Sequence, residues 1–136
     1  MHKVLVCGAT GLVGEQLLRI LEERSFPIES LRLFASEKSA GKKVIFRDKE
    51  SEVESLDRAV FEGADVAFMA LDPERTQKYV PNARKHCLVI DKSELYRLKD
   101  DVPLVVPEVN ADEIAHHRNL IATPNCTTIP LVVVLA

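Results

Sequence analysis

Two stretches of this chain combine residue types and spacings that can do chemistry. The first is Gly8-Ala9-Thr10-Gly11-Leu12-Val13-Gly14, three glycines spaced GxxGxxG directly after an apolar run. Gly8 lets the chain turn sharply out of a strand, Gly11 leaves the backbone open to an approaching pyrophosphate, and Gly14 allows close helix–strand packing. If a helix starts here, the N–H groups around Thr10, Leu12 and Val13 have no partner in it. They face an anion together with the positive end of the helix dipole. The turn therefore predicts a dinucleotide site. The second stretch, Pro124-Asn125-Cys126-Thr127-Thr128, places a thiol at the start of a helix. At such a position the dipole and unpaired N–H groups favour a thiolate and can take up oxyanion charge. A thiolate beside a nicotinamide supports one chemistry well. It adds to an aldehyde, the thiohemiacetal passes hydride to the nicotinamide, and phosphate or water releases the thioester.

The second strand discriminates between cofactors. An NAD site ends that strand in Asp or Glu, which bonds the ribose 2′-OH. Here the strand ends in Ser36, with Lys38 and Ser39 just beyond. A cation with two hydroxyls suits a 2′-phosphate, so NADP is expected, although Glu37 argues the other way.

The rest of the chain must position these groups. Val4 to Cys7 reads as a strand buried on both faces. Val13, Leu17, Ile20 and Leu21 mark one face of a helix ending near Arg24. Leu31–Ala35 is a second strand, and Lys43–Phe46 and Glu52–Ser55 are shorter ones. Asp65–Ala70 precedes a helix over Pro73–His86, capped by Asp72 and kinked or broken at Pro81. Cys87–Asp91, Leu104–Val106 and Leu120–Ala122 read as strands and Ala111–His117 as a short helix. Strands alternating with helices imply a Rossmann-like α/β fold, a doubly wound and mostly parallel sheet.

Composition narrows the function classes. Apolar residues are 46% and charged residues 29% of 136, enough for one domain with a core. A net charge of −3 without a basic run argues against nucleic acid. The longest apolar run outside the N-terminal strand, Leu131–Ala136, is too short for a membrane span, and the N-terminus lacks a signal-peptide pattern. A cytoplasmic location and a small-molecule substrate are expected. Three cysteines without a CxxC pair predict reduced thiols and no metal site, with Cys7 and Cys87 buried as small hydrophobes.

Along nearly its whole length the chain resembles the aspartate-semialdehyde dehydrogenases. Gly8–Gly14 looks like that family's cofactor turn, and Ala35-Ser36-Glu37-Lys38-Ser39-Ala40-Gly41-Lys42 like its 2′-phosphate loop, where Lys38 replaces a usual arginine. Val105-Val106-Pro107-Glu108-Val109-Asn110 and Pro124-Asn125-Cys126-Thr127-Thr128-Ile129 look like its two most distinctive strings. The resemblance implies that Cys126 is the acyl-thioester nucleophile and that Asn125 helps orient the substrate. It makes Arg97 the arginine that binds phosphate or the substrate carboxylate. The implied reaction is reductive dephosphorylation of aspartyl phosphate with NADPH, in lysine, threonine and methionine biosynthesis.

Departures from the pattern carry expectations of their own. Leu71 stands where the family has small residues near the nicotinamide ribose, and Lys92 replaces a common asparagine. Family members run to more than twice this length, so the general-base histidine and most of a homodimer interface are expected beyond Ala136. The 136-residue chain alone is then expected to be monomeric, to bind NADP and not to turn over, with part of a sheet face or edge uncovered. The histidines at hand, His116 and His117, are expected to be solvent-exposed. Two other readings stay open: a non-catalytic dinucleotide-binding module or degenerate paralogue, and an N-acetylglutamyl phosphate reductase-like enzyme.

Overall fold

Strand β1 (His2–Cys7) is the centre of a seven-stranded sheet, and its alternating side chains divide the core in two. The computed structural model describes residues 1–136. After β1 come α1 (Leu12–Glu23), β2 (Ile28–Ala35), β3 (Lys43–Phe46), β4 (Lys49–Ser55), β5 (Val66–Met69) and α2 (Pro73–Ala83). Then follow β6 (Leu88–Asp91), a short α3 (Pro107–Asn110), β7 (Leu120–Ala122) and α4 (Thr128–Leu135). The spatial order is β3-β4-β2-β1-β5-β6-β7, parallel throughout except for the β3–β4 hairpin. This is the expected doubly wound sheet. Its strand order reverses direction at β1, which opens a crevice between the carboxyl ends of β1 and β5.

Leu5 and Cys7 point to one face, with Phe34, Met69, Val80 and Ala83, and there α2 packs. Val4 and Val6 point to the other, with Leu18, Leu21 and Leu33, and there α1 packs. Burying each of these side chains contributes about 1.5–3 kcal/mol, and the period of two in the strands decides which core each joins. Along the α1 face, Val66 and Phe68 of β5 and Leu88 and Ile90 of β6 are only half-buried. Helix α4 is apolar and buries no residue, with Leu131, Val133, Val134 and Leu135 all exposed. This part of the sheet face is thus covered less completely than the part under α1.

Three elements differ from the sequence expectation. The buried face of α1 is Gly14, Leu18 and Leu21, whereas Val13 and Ile20 are exposed. The helix is turned because Gly14 must face the glycine turn, and a glycine adds nothing to a hydrophobic pattern. Leu104–Val106 is no strand, since Leu104 makes a single parallel bridge to Ala122. Pro103 and the α3-starting Pro107 bracket it and withhold the N–H groups a ladder needs. Finally, α2 runs through Pro81 and stops two residues later, so that proline removes one bond in the last turn without breaking the helix earlier. Asp72 caps α2 as expected, accepting the Arg75 N–H at 2.9 Å.

Candidate functional site

The glycine turn leaves β1 at Gly8, whose φ of 88° is one that side chains rarely adopt. Its backbone is pinned on both sides. Gly8 and Ala9 donate to the Phe34 carbonyl of β2 at 2.8 and 3.0 Å, and Ala70, at the end of β5, donates to the Cys7 carbonyl at 2.8 Å. A Cβ on Gly8 would lie 2.2 Å from the Ala70 oxygen. A Cβ on Gly14 would lie 2.2 Å from the Gly8 oxygen and 2.8 Å from the Ala9 Cα, so α1 seats directly on the turn.

What the turn leaves open is as informative. Gly11 caps α1 without a side chain, and the N–H groups of Thr10, Leu12, Val13 and Gly14 donate to nothing within the chain. A Cβ on the exposed Gly11 would meet only the Gly8 oxygen, at 3.4 Å. The residues present therefore fit a diphosphate: four unpartnered donors, a helix dipole, and free space outside the one glycine that must stay small. Helix α2 is built the opposite way, with its first turn closed by the carboxylate of Asp72.

Ser36, Lys38 and Ser39 follow β2 on a single 3-10 turn, beside the glycine turn because β2 pairs with β1 in parallel. Ser36 and Lys38 are exposed and Ser39 is half-buried, its N–H donating to the Ser36 carbonyl at 2.8 Å. Leu71, the departure expected near the nicotinamide ribose, has its side chain buried in the core on the α2 face.

The thiol site lies at the same carboxyl edge of the sheet, beyond β6 and β7. Cys126 is exposed, whereas Cys7 and Cys87 are buried as expected. Burial pushes the Cys7 thiol up to about 12 and the Cys87 thiol up to about 11. Asn125 organises the loop. Its Oδ1 accepts the Thr127 N–H at 2.9 Å and the Thr127 hydroxyl at 2.7 Å, and lies 3.7 Å from Cys126 Sγ. Its main-chain carbonyl accepts the Thr128 and Ile129 N–H groups at 2.9 and 3.1 Å. The start of α4 is therefore less open than its position implied, because Asn125 takes three N–H groups and Pro130 has none. The Cys126 N–H and the Asn125 side-chain amide nitrogen remain without partners in the chain.

Arg97 stands next to this loop and is partly committed. Its Nε donates to the Thr123 carbonyl at 2.9 Å and one terminal nitrogen to the Lys92 carbonyl at 2.8 Å. A second support of the same loop, not evident from the sequence, is the fully buried Asp91 at the end of β6. Its carboxylate accepts the Ser93 N–H at 3.0 Å and the Ser93 hydroxyl at 2.7 Å, and its carbonyl accepts the Thr123 N–H at 2.9 Å. Burial raises the Asp91 carboxyl above its ordinary range, against the smaller opposing pull of Ser93 and Arg97. The only signal was an acid ending an apolar strand. Asn110, the last residue of the Val105–Asn110 string, is also structural: it accepts the Val106 N–H at 2.8 Å and donates to the Leu104 carbonyl at 3.0 Å. Of the two histidines, His116 is exposed as expected. His117 is half-buried instead, its Nδ1 accepting the Asn119 N–H at 3.1 Å in the turn before β7.

No helix is long and apolar enough to cross a membrane. The sequence model of "Semialdehyde dehydrogenase, NAD binding domain" matches residues 3–117. The aspartate-semialdehyde dehydrogenase of Rickettsia bellii is 45% identical over 137 aligned residues, which cover 98% of this chain and 40% of that protein. Among solved structures, aspartate semialdehyde dehydrogenase II of Vibrio cholerae, complexed with ASA, superposes with a TM-score of 0.96 at 40% identity. That match covers 99% of this chain and 45% of the Vibrio chain. The Candida albicans enzyme, crystallised with NADP, superposes with a TM-score of 0.77 at 28% identity, over 99% of this chain and 46% of its own. The chain spans about two fifths of the length of the curated relatives it matches. This chain belongs to the semialdehyde dehydrogenase NAD-binding domain family, alongside aspartate-semialdehyde dehydrogenases that match it along nearly its whole length.

Proposed function

We propose that this chain is the NADP-binding, nucleophile-bearing part of an aspartate-semialdehyde dehydrogenase. The whole enzyme would reductively dephosphorylate aspartyl phosphate to aspartate semialdehyde for lysine, threonine and methionine biosynthesis. One arrangement carries the reading: four unpartnered N–H groups at a glycine turn and an exposed thiol at the head of α4, both at the carboxyl edge of one parallel sheet. The Candida relative with NADP and the hydroxyl-bearing loop at Ser36, Lys38 and Ser39 support NADP over NAD.

In this reading Gly8, Gly11 and Gly14 shape the diphosphate cradle, and Thr10, Leu12 and Val13 supply its donors. When bound, NADPH would supply the hydride that reduces the carbon held on sulfur, whose C–S bond then breaks to release the aldehyde and restore the Cys126 thiolate. Cys126 Sγ forms a C–S bond to the acyl carbon of aspartyl phosphate as the C–O bond to phosphate breaks, leaving a thioester. The Asn125 amide nitrogen, freed because Thr127 holds the oxygen end, donates to the acyl oxygen. The three guanidinium N–H groups of Arg97 not bound to carbonyls take the substrate's phosphate or carboxylate. A second domain would supply the general base and a homodimer interface. The half-buried residues of β5 and β6 and the exposed apolar residues of α4 support that division.

Peptide mapping after iodoacetamide treatment tests the nucleophile. Cys126 is expected to be alkylated while Cys7 and Cys87 are protected until the chain unfolds, and aspartate semialdehyde should slow the alkylation of Cys126. Equal labelling of the three thiols contradicts the catalytic reading and favours a binding module.

A further inference from the structure

The β2 loop is not the only basic element facing the region where a 2′-phosphate is proposed to bind. A cavity of about 350 Å³ joins Ser36 and Lys38 after β2 to Leu56 after β4 and to Arg75 and Tyr79 of α2. We propose that Arg75, together with Lys38, binds the 2′-phosphate of NADP, so that α2 as well as the β2 loop discriminates NADP from NAD. The proposal deepens the dinucleotide reading above and rests on it.

The placement of Arg75 supports this role. It sits in the first turn of α2, where the Asp72 carboxylate accepts both its backbone N–H and one of its terminal N–H groups. That tether restrains the guanidinium of a residue that lines the cavity. The other N–H donors stay available, in a planar fork that matches two phosphate oxygens. The side chain is about half exposed, so a ligand can reach it. Lys38 has no carboxylate within ion-pair distance anywhere in the chain. Two acids also line the cavity, Glu37 and Asp57. Asp57 is already answered: Lys78 Nζ lies 2.7 Å and the Tyr79 hydroxyl 2.5 Å from its Oδ1, and the Lys78 contact above all holds its carboxyl below the ordinary range. Glu37 also lines the cavity and Asp72 pairs with Arg75, so what a phosphate would meet here is the unpaired Lys38 ammonium and the guanidinium N–H groups that Asp72 leaves free.

The test is a fluorescence titration of the 136-residue chain with NADPH and with NADH, for wild type, Arg75→Gln and Arg75→Lys. Gln keeps the backbone N–H that Asp72 caps, and NADH affinity serves as the internal control of folding. Losing a charge-assisted contact to phosphate should weaken NADPH about tenfold or more, while NADH changes less than about twofold. Arg75→Lys should keep part of the preference. An Arg75→Gln chain that loses both cofactors equally, or neither, overturns the role of Arg75 and leaves the NADP reading intact. A wild-type chain with no preference for NADPH overturns both.

Discussion

Gly11 and Gly14 are both small residues in one turn, yet the structure predicts opposite consequences for replacing each by alanine. At Gly14 the new methyl would sit 2.2 Å from the Gly8 oxygen and 2.8 Å from the Ala9 Cα, both backbone atoms that no rotamer change can move. Overpacking of this kind costs about 1–3 kcal/mol, and the better helix propensity of alanine returns about 0.8–1 kcal/mol. A net loss of up to about 2 kcal/mol should lower the melting temperature by several degrees in a chain of this size. At Gly11 the backbone is extended, at φ −86°, and the methyl would meet only the Gly8 oxygen at 3.4 Å. The poorer N-cap costs about 0.5–1 kcal/mol, and the lower entropy of the unfolded chain offsets about 0.4–1 kcal/mol. Stability should therefore be nearly unchanged. The methyl does, however, stand in the space proposed for the diphosphate. Each charge-assisted hydrogen bond lost there weakens binding by about ten- to a hundredfold. Thermal melts and NADPH titrations of Gly11→Ala and Gly14→Ala provide the comparison. A Gly11→Ala chain that folds and binds NADPH as tightly as wild type refutes the cradle, and a Gly14→Ala chain that melts with wild type refutes the close seating of α1.

Two further outcomes follow from the brace beside Cys126. Because burial raises the Asp91 carboxyl in the folded chain, the native state holds that proton more tightly than the unfolded state. Its contribution is therefore full below the unfolded value and is lost as pH rises through the folded one. Asp91→Asn, whose amide can keep both links to Ser93, should gain stability relative to wild type between about pH 4 and 7, read as the difference in urea midpoints at the two pH values. The subtraction also removes the opposite trend from Asp57 and Asp72, whose carboxyls are held low. Arg97→Ala removes the links to the Thr123 and Lys92 carbonyls and should destabilise the chain by about 1–3 kcal/mol. Proteolysis should then nick the 123–127 loop more readily than in wild type.

The sequence exposed most of this architecture because its strongest signals are local. Short apolar runs ending in glycine or a polar residue marked β1, β2, β5 and β6, and Asp72 followed by Pro73 marked the start of α2. Features set by tertiary contact were hidden. The phase of α1 depends on where Gly14 touches the turn, and a residue without a side chain leaves no trace in a hydrophobic period. Leu104–Val106 has the composition of a strand, but the flanking prolines reduce it to one bridge. Within the site, the spacing of the glycines announced the open turn, whereas the buried Asp91 and the two carbonyls that hold Arg97 come from segments distant in sequence. The resemblance gave Arg97 an anion to bind. The structure adds that the same guanidinium ties the Lys92 loop to Thr123, three residues before the thiol.

In the proposed function the open first turn of α1 holds the diphosphate of a nicotinamide dinucleotide. A titration of the ¹⁵N-labelled chain with NADPH, followed by amide resonances, tests it most directly. The amides of Thr10, Leu12, Val13 and Gly14 should show the largest shifts and saturate together with those of Ser36, Lys38 and Ser39. Saturable shifts that leave the four turn amides unmoved, or no binding at all, would contradict it.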